Sequence, residues 1–138
     1  MITINFVTVI LAALAAFIIG FLFHGPLLGK TWMRLAKITP TGNEKLSDMY
    51  PQMIGNYVVN LISAIALSVV YQLAATSILT SGPGLATAIT TAVIVWLGFL
   101  STATIIGVIW MGQSFKLWLF EFFSSFVVMM VMTVIISR

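Results

Sequence analysis

Glu121 is the only acid or base inside the long apolar runs of this chain, and His24 is its only histidine. A carboxyl in hydrocarbon is costly. It faces a bundle interior or water and pairs with something, or it takes up a proton. Glu121 lies five residues past Lys116, or about 7.5 Å along a helix at 1.5 Å per residue, inside or at the edge of the hydrocarbon. Its candidate neighbours are His24, Gln52 and Asn56, because the ends of the runs that carry them fall on the same side. Such a polar cluster could act as a proton- or ligand-coupled site. It could also be a buried structural network, or Glu121 could snorkel to the interface or pair with Lys116.

Further chemistry is sparse. Gln52, Asn56, Asn60 and Ser63 fall within about 80° of one another at 100° per residue, with Tyr71 at the edge of the same face. Amides in hydrocarbon need partners, so this stripe is expected to face helices rather than lipid. The stripe could bind the bundle or a subunit interface together, or it could line a solute path. His24 alone, without cysteine anywhere in the chain, makes no metal site or haem site, and no cofactor is expected. Met129, Met130 and Met132 read as bundle filler rather than a copper site. No phosphate loop, nucleophile elbow or dinucleotide fingerprint is present, so no enzyme activity is expected.

The elements that position these residues are long apolar runs at about 2–23, 53–79, 85–110 and 117–137. Each reaches or exceeds the ~20 residues a helix needs to cross ~30 Å of hydrocarbon. The chain is 61% hydrophobic and 7% charged, against about 25% charged in ordinary soluble domains. The first run has no basic n-region and is too long for the apolar stretch of a cleaved signal peptide, so it stays as a helix. The expectation is an all-α membrane protein: one transmembrane domain over residues 1–138, built as an antiparallel bundle of four helices.

The connection at 24–52 is long. Within it, Lys30, Arg34 and Lys37 share one helical face, with Leu28, Trp32, Leu35 and Ala36 near the other. That spacing predicts an amphipathic helix over 27–38 in the headgroup region, its cations near anionic lipid and Trp32 directed into the membrane. Gly25-Pro26 should end the first helix, and Pro51 suits the first turn of the second. Ser81-Gly82-Pro83-Gly84 and Met111-Gly112-Gln113-Ser114 read as tight turns.

Orientation follows from the cations. Lys30, Arg34, Lys37, Lys45 and Lys116 lie on one side and Arg138 on the other, five against one. The long loop is therefore expected in the cytoplasm with both termini outside. The net charge of +3 is too small and local to suggest nucleic acid. Ala12, Ala16 and Gly20 repeat every four residues, as do Ala88/Ala92 and Ala103/Gly107. Small-xxx-small spacing lets helices approach closely, within the chain or between copies.

The junction Phe23-His24-Gly25-Pro26-Leu27-Leu28-Gly29-Lys30-Thr31-Trp32-Met33 resembles the aromatic-x-x-Pro-Leu-x-x-Gly-Lys-x-Trp segment of a widespread bacterial membrane family, domain-of-unknown-function family 1761. Thr102-Ala103-Thr104 and Gly112-Gln113-Ser114-Phe115-Lys116-Leu117 are similar to that family's Thr-rich helix and the polar turn after it. The chain departs from the family twice. Many members carry an aromatic-Tyr-Ser-Pro run where Phe23-His24-Gly25-Pro26 stands. Many carry an Asn and then a Tyr-His pair where Glu121, Ser124 and Ser125 stand. The resemblance implies four helices in a bacterial inner membrane and no particular activity.

The leading expectation is a self-associating protein, or an accessory subunit docking through helix faces, with membrane lipids and a homo-oligomer or larger membrane complex as partners. The alternative is an oligomeric transporter or channel for a small solute or cation, using the polar stripe and Glu121. An enzyme acting on lipid or quinone would have only His24 and Glu121 to work with and ranks last.

Overall fold

The computed structural model describes residues 3–43, 45–77 and 82–138. In chain order the helices are α1 (Phe6–His24), α2 (Gly29–Leu35), α3 (Tyr50–Ala75), α4 (Leu85–Val95), α5 (Thr102–Met111) and α6 (Phe115–Ile136). A short 3₁₀ turn, Leu46–Met49, leads into α3. The wide-turned π-helical segment Trp96–Ser101 joins α4 to α5 without a break, so the two form one span. The expected end of the second helix at 79, and Ser81 of the expected turn, lie outside the described residues.

Four helices are long and apolar enough to cross a membrane: Phe6–His24, Ser47–Ala75, Leu85–Met111 and Phe115–Ile136. Their outward faces carry Leu11, Ile54, Val58, Phe99 and Ile109 in the open. That much exposed apolar surface is what lipid requires and water penalises. No strand occurs among the described residues.

Local chemistry sets the helix ends. Asn5 caps α1, its side-chain oxygen accepting from the backbone N–H groups of Val7 (3.1 Å) and Thr8 (3.4 Å). The other end stops at Gly25, where a Cβ would stand 2.6 Å from the Phe21 carbonyl oxygen. Pro51 occupies the first turn of α3, where its missing N–H costs nothing. Gly112, in the left-handed region at φ 66°, ends α5 and turns the chain into α6.

The backbone N–H of Thr3 donates to the Gln72 side chain at 2.8 Å, so the start of α1 sits beside the end of α3. Gly84 N–H donates to the Tyr71 hydroxyl at 2.9 Å, which ties the start of α4 to that same end. Neighbouring spans therefore run in opposite directions.

The packed core gathers at this end of the bundle: Val9, Ala12, Ala13 and Ala16 of α1, Ala64, Leu67 and Tyr71 of α3, Ala88 of α4, and Met132 and Ile136 of α6. Ala12 is fully buried and Ala16 is 1% exposed. Their small size lets α6 and α3 close on α1. The opposite end, toward the 24–52 connection, is looser and opens into crevices.

Candidate functional site

At that looser end the chain folds back on itself over a short corner. Gly29 N–H donates to the Gly25 carbonyl at 2.9 Å and Leu27 N–H to the Leu22 carbonyl at 3.0 Å. A Cβ on Gly29 would sit 2.8 Å from the His24 carbonyl oxygen, so only glycine lets α2 lie this close to the end of α1. The corner points two side chains at one spot, His24 from the last turn of α1 and Trp32 from the middle of α2. Their rings meet edge to face with centroids 5.2 Å apart.

Glu121 of α6 completes the spot. Both its carboxyl oxygens lie 3.1 Å from His24 Nε2. Trp32 Nε1–H donates to Oε1 at 3.0 Å. His24 Nδ1 is held 2.9 Å from the Gly20 carbonyl, which can only accept, so Nδ1 carries a hydrogen. Nε2 and a carboxylate are both acceptors unless a proton lies between them. The pair is either an imidazolium beside a carboxylate or a neutral imidazole beside a carboxylic acid. Both forms have zero net charge, which suits a low dielectric. Removing the shared proton breaks the bond and leaves one negative charge.

The pair is not sealed. The side chains of His24 and Glu121 are 31% and 37% exposed, and two openings reach them. A groove of about 210 Å³ between α1, α2 and α3 exposes His24 and Trp32 alongside Gln52 and Asn56. A crevice of about 390 Å³ on the other side exposes Glu121 alongside Thr104, Gln113, Trp118 and Ser125. Trp118 Nε1–H donates to the Thr104 hydroxyl at 3.1 Å and fixes one wall of that crevice. Trp96, from the π-helical segment, donates to the Phe122 carbonyl (3.1 Å) and the Ser125 hydroxyl (3.2 Å), anchoring the turn of α6 that carries Glu121.

Of the residues singled out from sequence, His24 and Glu121 meet directly. Gln52 and Asn56 share the groove with His24 but turn their hydrogen bonds to their own helix. With its amide turned so that nitrogen and oxygen are both satisfied, Gln52 donates to the carbonyls of Asp48 (3.0 Å) and Met49 (3.2 Å) in the turn that leads into α3. Asn60 donates to the Asn56 carbonyl (2.9 Å) and the Asn56 side-chain oxygen (3.0 Å), one turn deeper than the groove. Gln52, Asn56 and Ser63 are exposed, the first two to the groove between α1, α2 and α3 and Ser63 to a crevice beside Val95 and Phe99. The bundle closes on α1 further along α3, through Ala64, Leu67 and Tyr71, so at the level of the stripe the helices stand apart and leave crevices. Lys116 forms no ion pair with Glu121 among the described residues.

Trp32 and Gln113 were not legible as site residues. The helix expected at 27–38 spans Gly29–Leu35, and Lys37, two residues on, turns the chain away at a φ of 57°. Lys30, Arg34 and Lys37 are exposed, and Trp32 bonds to Glu121. The clue available in sequence was the fixed distance from Gly29 to Trp32, one helical turn. Two metal-ligating side chains meet here, and no third joins them among the described residues.

Fold and site together define a multi-pass membrane protein with a hydrogen-bonded His–Glu pair whose carboxyl also accepts from a tryptophan. The chain belongs to the family described as protein of unknown function, DUF1761, whose model matches residues 7–137. No curated protein and no solved structure matches the chain significantly. The corner that carries the family resemblance is also the corner that brings His24 and Trp32 to Glu121.

Proposed function

We propose that this protein is a small-solute or cation carrier in which the proton held between His24 and Glu121 exchanges for a cation or a hydrogen-bond donor. The observation that carries the reading is His24 Nε2 facing both carboxyl oxygens at 3.1 Å while Nδ1 is committed to Gly20. A site that must hold one proton to stay bonded can release it when another positive or donating group takes the carboxylate. The groove and the crevice give that group two ways in. Trp32 keeps one carboxyl oxygen in place during the exchange. Lys30, Arg34 and Lys37 sit on the exposed side of α2, suited to anionic headgroups on the cytoplasmic face that the charge bias favours.

Docking through the small residues of α1 has less to support it. Ala12 and Ala16 are consumed by packing inside the chain, so that face is not free for a partner.

The test is flux in proteoliposomes with a pH-sensitive dye inside, driven by a gradient of K⁺, Na⁺ or ammonium. Wild-type protein should move protons against at least one of these. Glu121→Gln keeps the shape and the Trp32 acceptor but cannot ionise, and should drop to the rate of protein-free vesicles. Equal flux from Glu121→Gln and wild type would overturn the reading.

A further inference from the structure

We infer that the cation taken at Glu121 is an amphiphilic organic ammonium, its charged nitrogen at the carboxyl and its apolar chain in a second crevice deeper in the membrane. Such a substrate narrows the carrier reading and rests on it for the exchange with a proton. Two openings follow each other along α6. Glu121, Ser125 and Met129 are spaced four residues apart, so they succeed one another up roughly one face of that helix. Glu121 and Ser125 line the crevice described above, and Met129 lines the next one. Leu100 lines both, so the two openings meet at its side chain.

The second crevice holds about 340 Å³ between Ser63, Ala66 and Val70 of α3, Phe99 of the π-helical segment and Ala103 of α5. It exists because α3 packs against α4 but not against the π-helical segment or α5. That span leaves α3 as it returns toward the 24–52 connection. Ser63 is the only polar residue among the described residues on its wall. The first crevice differs in character, with Thr104, Gln113, Glu121 and Ser125 around it. Its hydroxyls are already engaged. Thr104 donates to the Leu100 carbonyl at 2.9 Å and accepts from Trp118. Ser125 donates to the Phe122 carbonyl at 3.0 Å and accepts from Trp96. Among the described residues lining the two crevices, only Glu121 can carry a charge.

Depth orders the two. Glu121 is six residues past the start of α6 at Phe115, about 9 Å along the axis, and Met129 is fourteen residues past it, about 21 Å. The polar crevice therefore lies toward the headgroups and the apolar one toward the middle of the bilayer. A molecule entering from one leaflet with its head outermost meets that gradient in the right order. An inorganic cation would leave the apolar crevice unused, and a fatty anion would be repelled by the carboxylate. A cation joined to an apolar chain suits both. Each volume lies within the ~300–1,000 Å³ of small-ligand sites. Charge also balances. As the ammonium takes the Glu121 carboxylate, the proton leaves His24 Nε2 as neutral imidazole through the groove on the other side, where Gln52 and Asn56 supply polar lining. One positive charge enters and one leaves.

The test titrates hexyltrimethylammonium, tetramethylammonium and hexanoate calorimetrically into the purified full chain in non-ionic detergent. Hexyltrimethylammonium should bind at least about tenfold more tightly than tetramethylammonium, since burying two of its added methylenes is enough for that factor. Hexanoate should not bind. Glu121→Gln should lose both ammonium ions. Ala103→Phe and Ala66→Phe each place a ring in the deeper crevice and should erase the hexyl advantage. Four results would each overturn the inference: equal affinity for the two ammonium ions, hexanoate binding as tightly as hexyltrimethylammonium, binding retained by Glu121→Gln, or a hexyl advantage that survives both phenylalanines. Repeating the titration in two buffers of different ionisation enthalpy counts the protons released. Chain-dependent binding with no proton released would sink the exchange and leave the amphiphile site standing. Proton flux driven by K⁺ without binding of hexyltrimethylammonium would do the reverse.

Discussion

Breaking the His24–Glu121 pair from each side, and from both at once, measures whether the two residues share a proton. His24→Phe keeps an aromatic ring against Trp32 and Phe120, whose centroids stand 5.2 and 5.6 Å from the imidazole, but removes both ring nitrogens. Glu121→Leu keeps bulk and leaves His24 and Trp32 without their shared acceptor. A hydrogen bond to a charged group contributes about 1.5–3 kcal/mol. The pair is about one-third exposed, and exposure screens charge. Interhelical bonds in membrane bundles measure about 0.6 kcal/mol on average and reach about 1.7. The expected coupling in a double-mutant cycle is therefore about 1–1.5 kcal/mol, with each single change costing about 1–2 kcal/mol. A second cycle with Trp32→Phe should give about 1 kcal/mol for one indole N–H on a carboxyl oxygen. The assay is unfolding in mixed micelles titrated with dodecyl sulfate, followed by far-ultraviolet circular dichroism. A His24–Glu121 coupling below about 0.5 kcal/mol, the additivity seen for distant sites, would refute the shared proton.

Three further outcomes follow from the packing. Ala16→Leu adds three carbons where α1 is closed against its neighbours and should lower stability by about 1–3 kcal/mol in the same titration. Gly20→Ala, on the same face one turn on, has nothing within 4 Å of the new Cβ and should be neutral or stabilising by up to about 1 kcal/mol. Gly29→Ala drives a methyl into the His24 carbonyl. It should cost about 1–2 kcal/mol and abolish the coupling between Trp32 and Glu121, because α2 must lift away. An unchanged Trp32–Glu121 cycle in that background would show that the corner is not what aims the tryptophan.

Length and apolarity fixed the four spans in advance, since crossing hydrocarbon is a one-dimensional requirement that any window of ~20 residues either meets or fails. Depth was legible for the same reason. The end of α1 and the start of α6 had to share a side, so His24 and Glu121 had to share a level. Which residues at that level touch was not legible. Helix rotation is set by side-chain packing across the bundle, and alanines at Ala12, Ala16, Ala64 and Ala88 could have met in several ways. Tertiary structure alone left the α3 amides beside open crevices and packed Tyr71, further along nearly the same face, into the core. It alone swung Trp32 onto Glu121, through a glycine corner whose geometry depends on a contact with the His24 carbonyl. The π-helical segment also stayed hidden, because a wide turn leaves no mark in hydropathy and is held by Trp96 reaching across to α6.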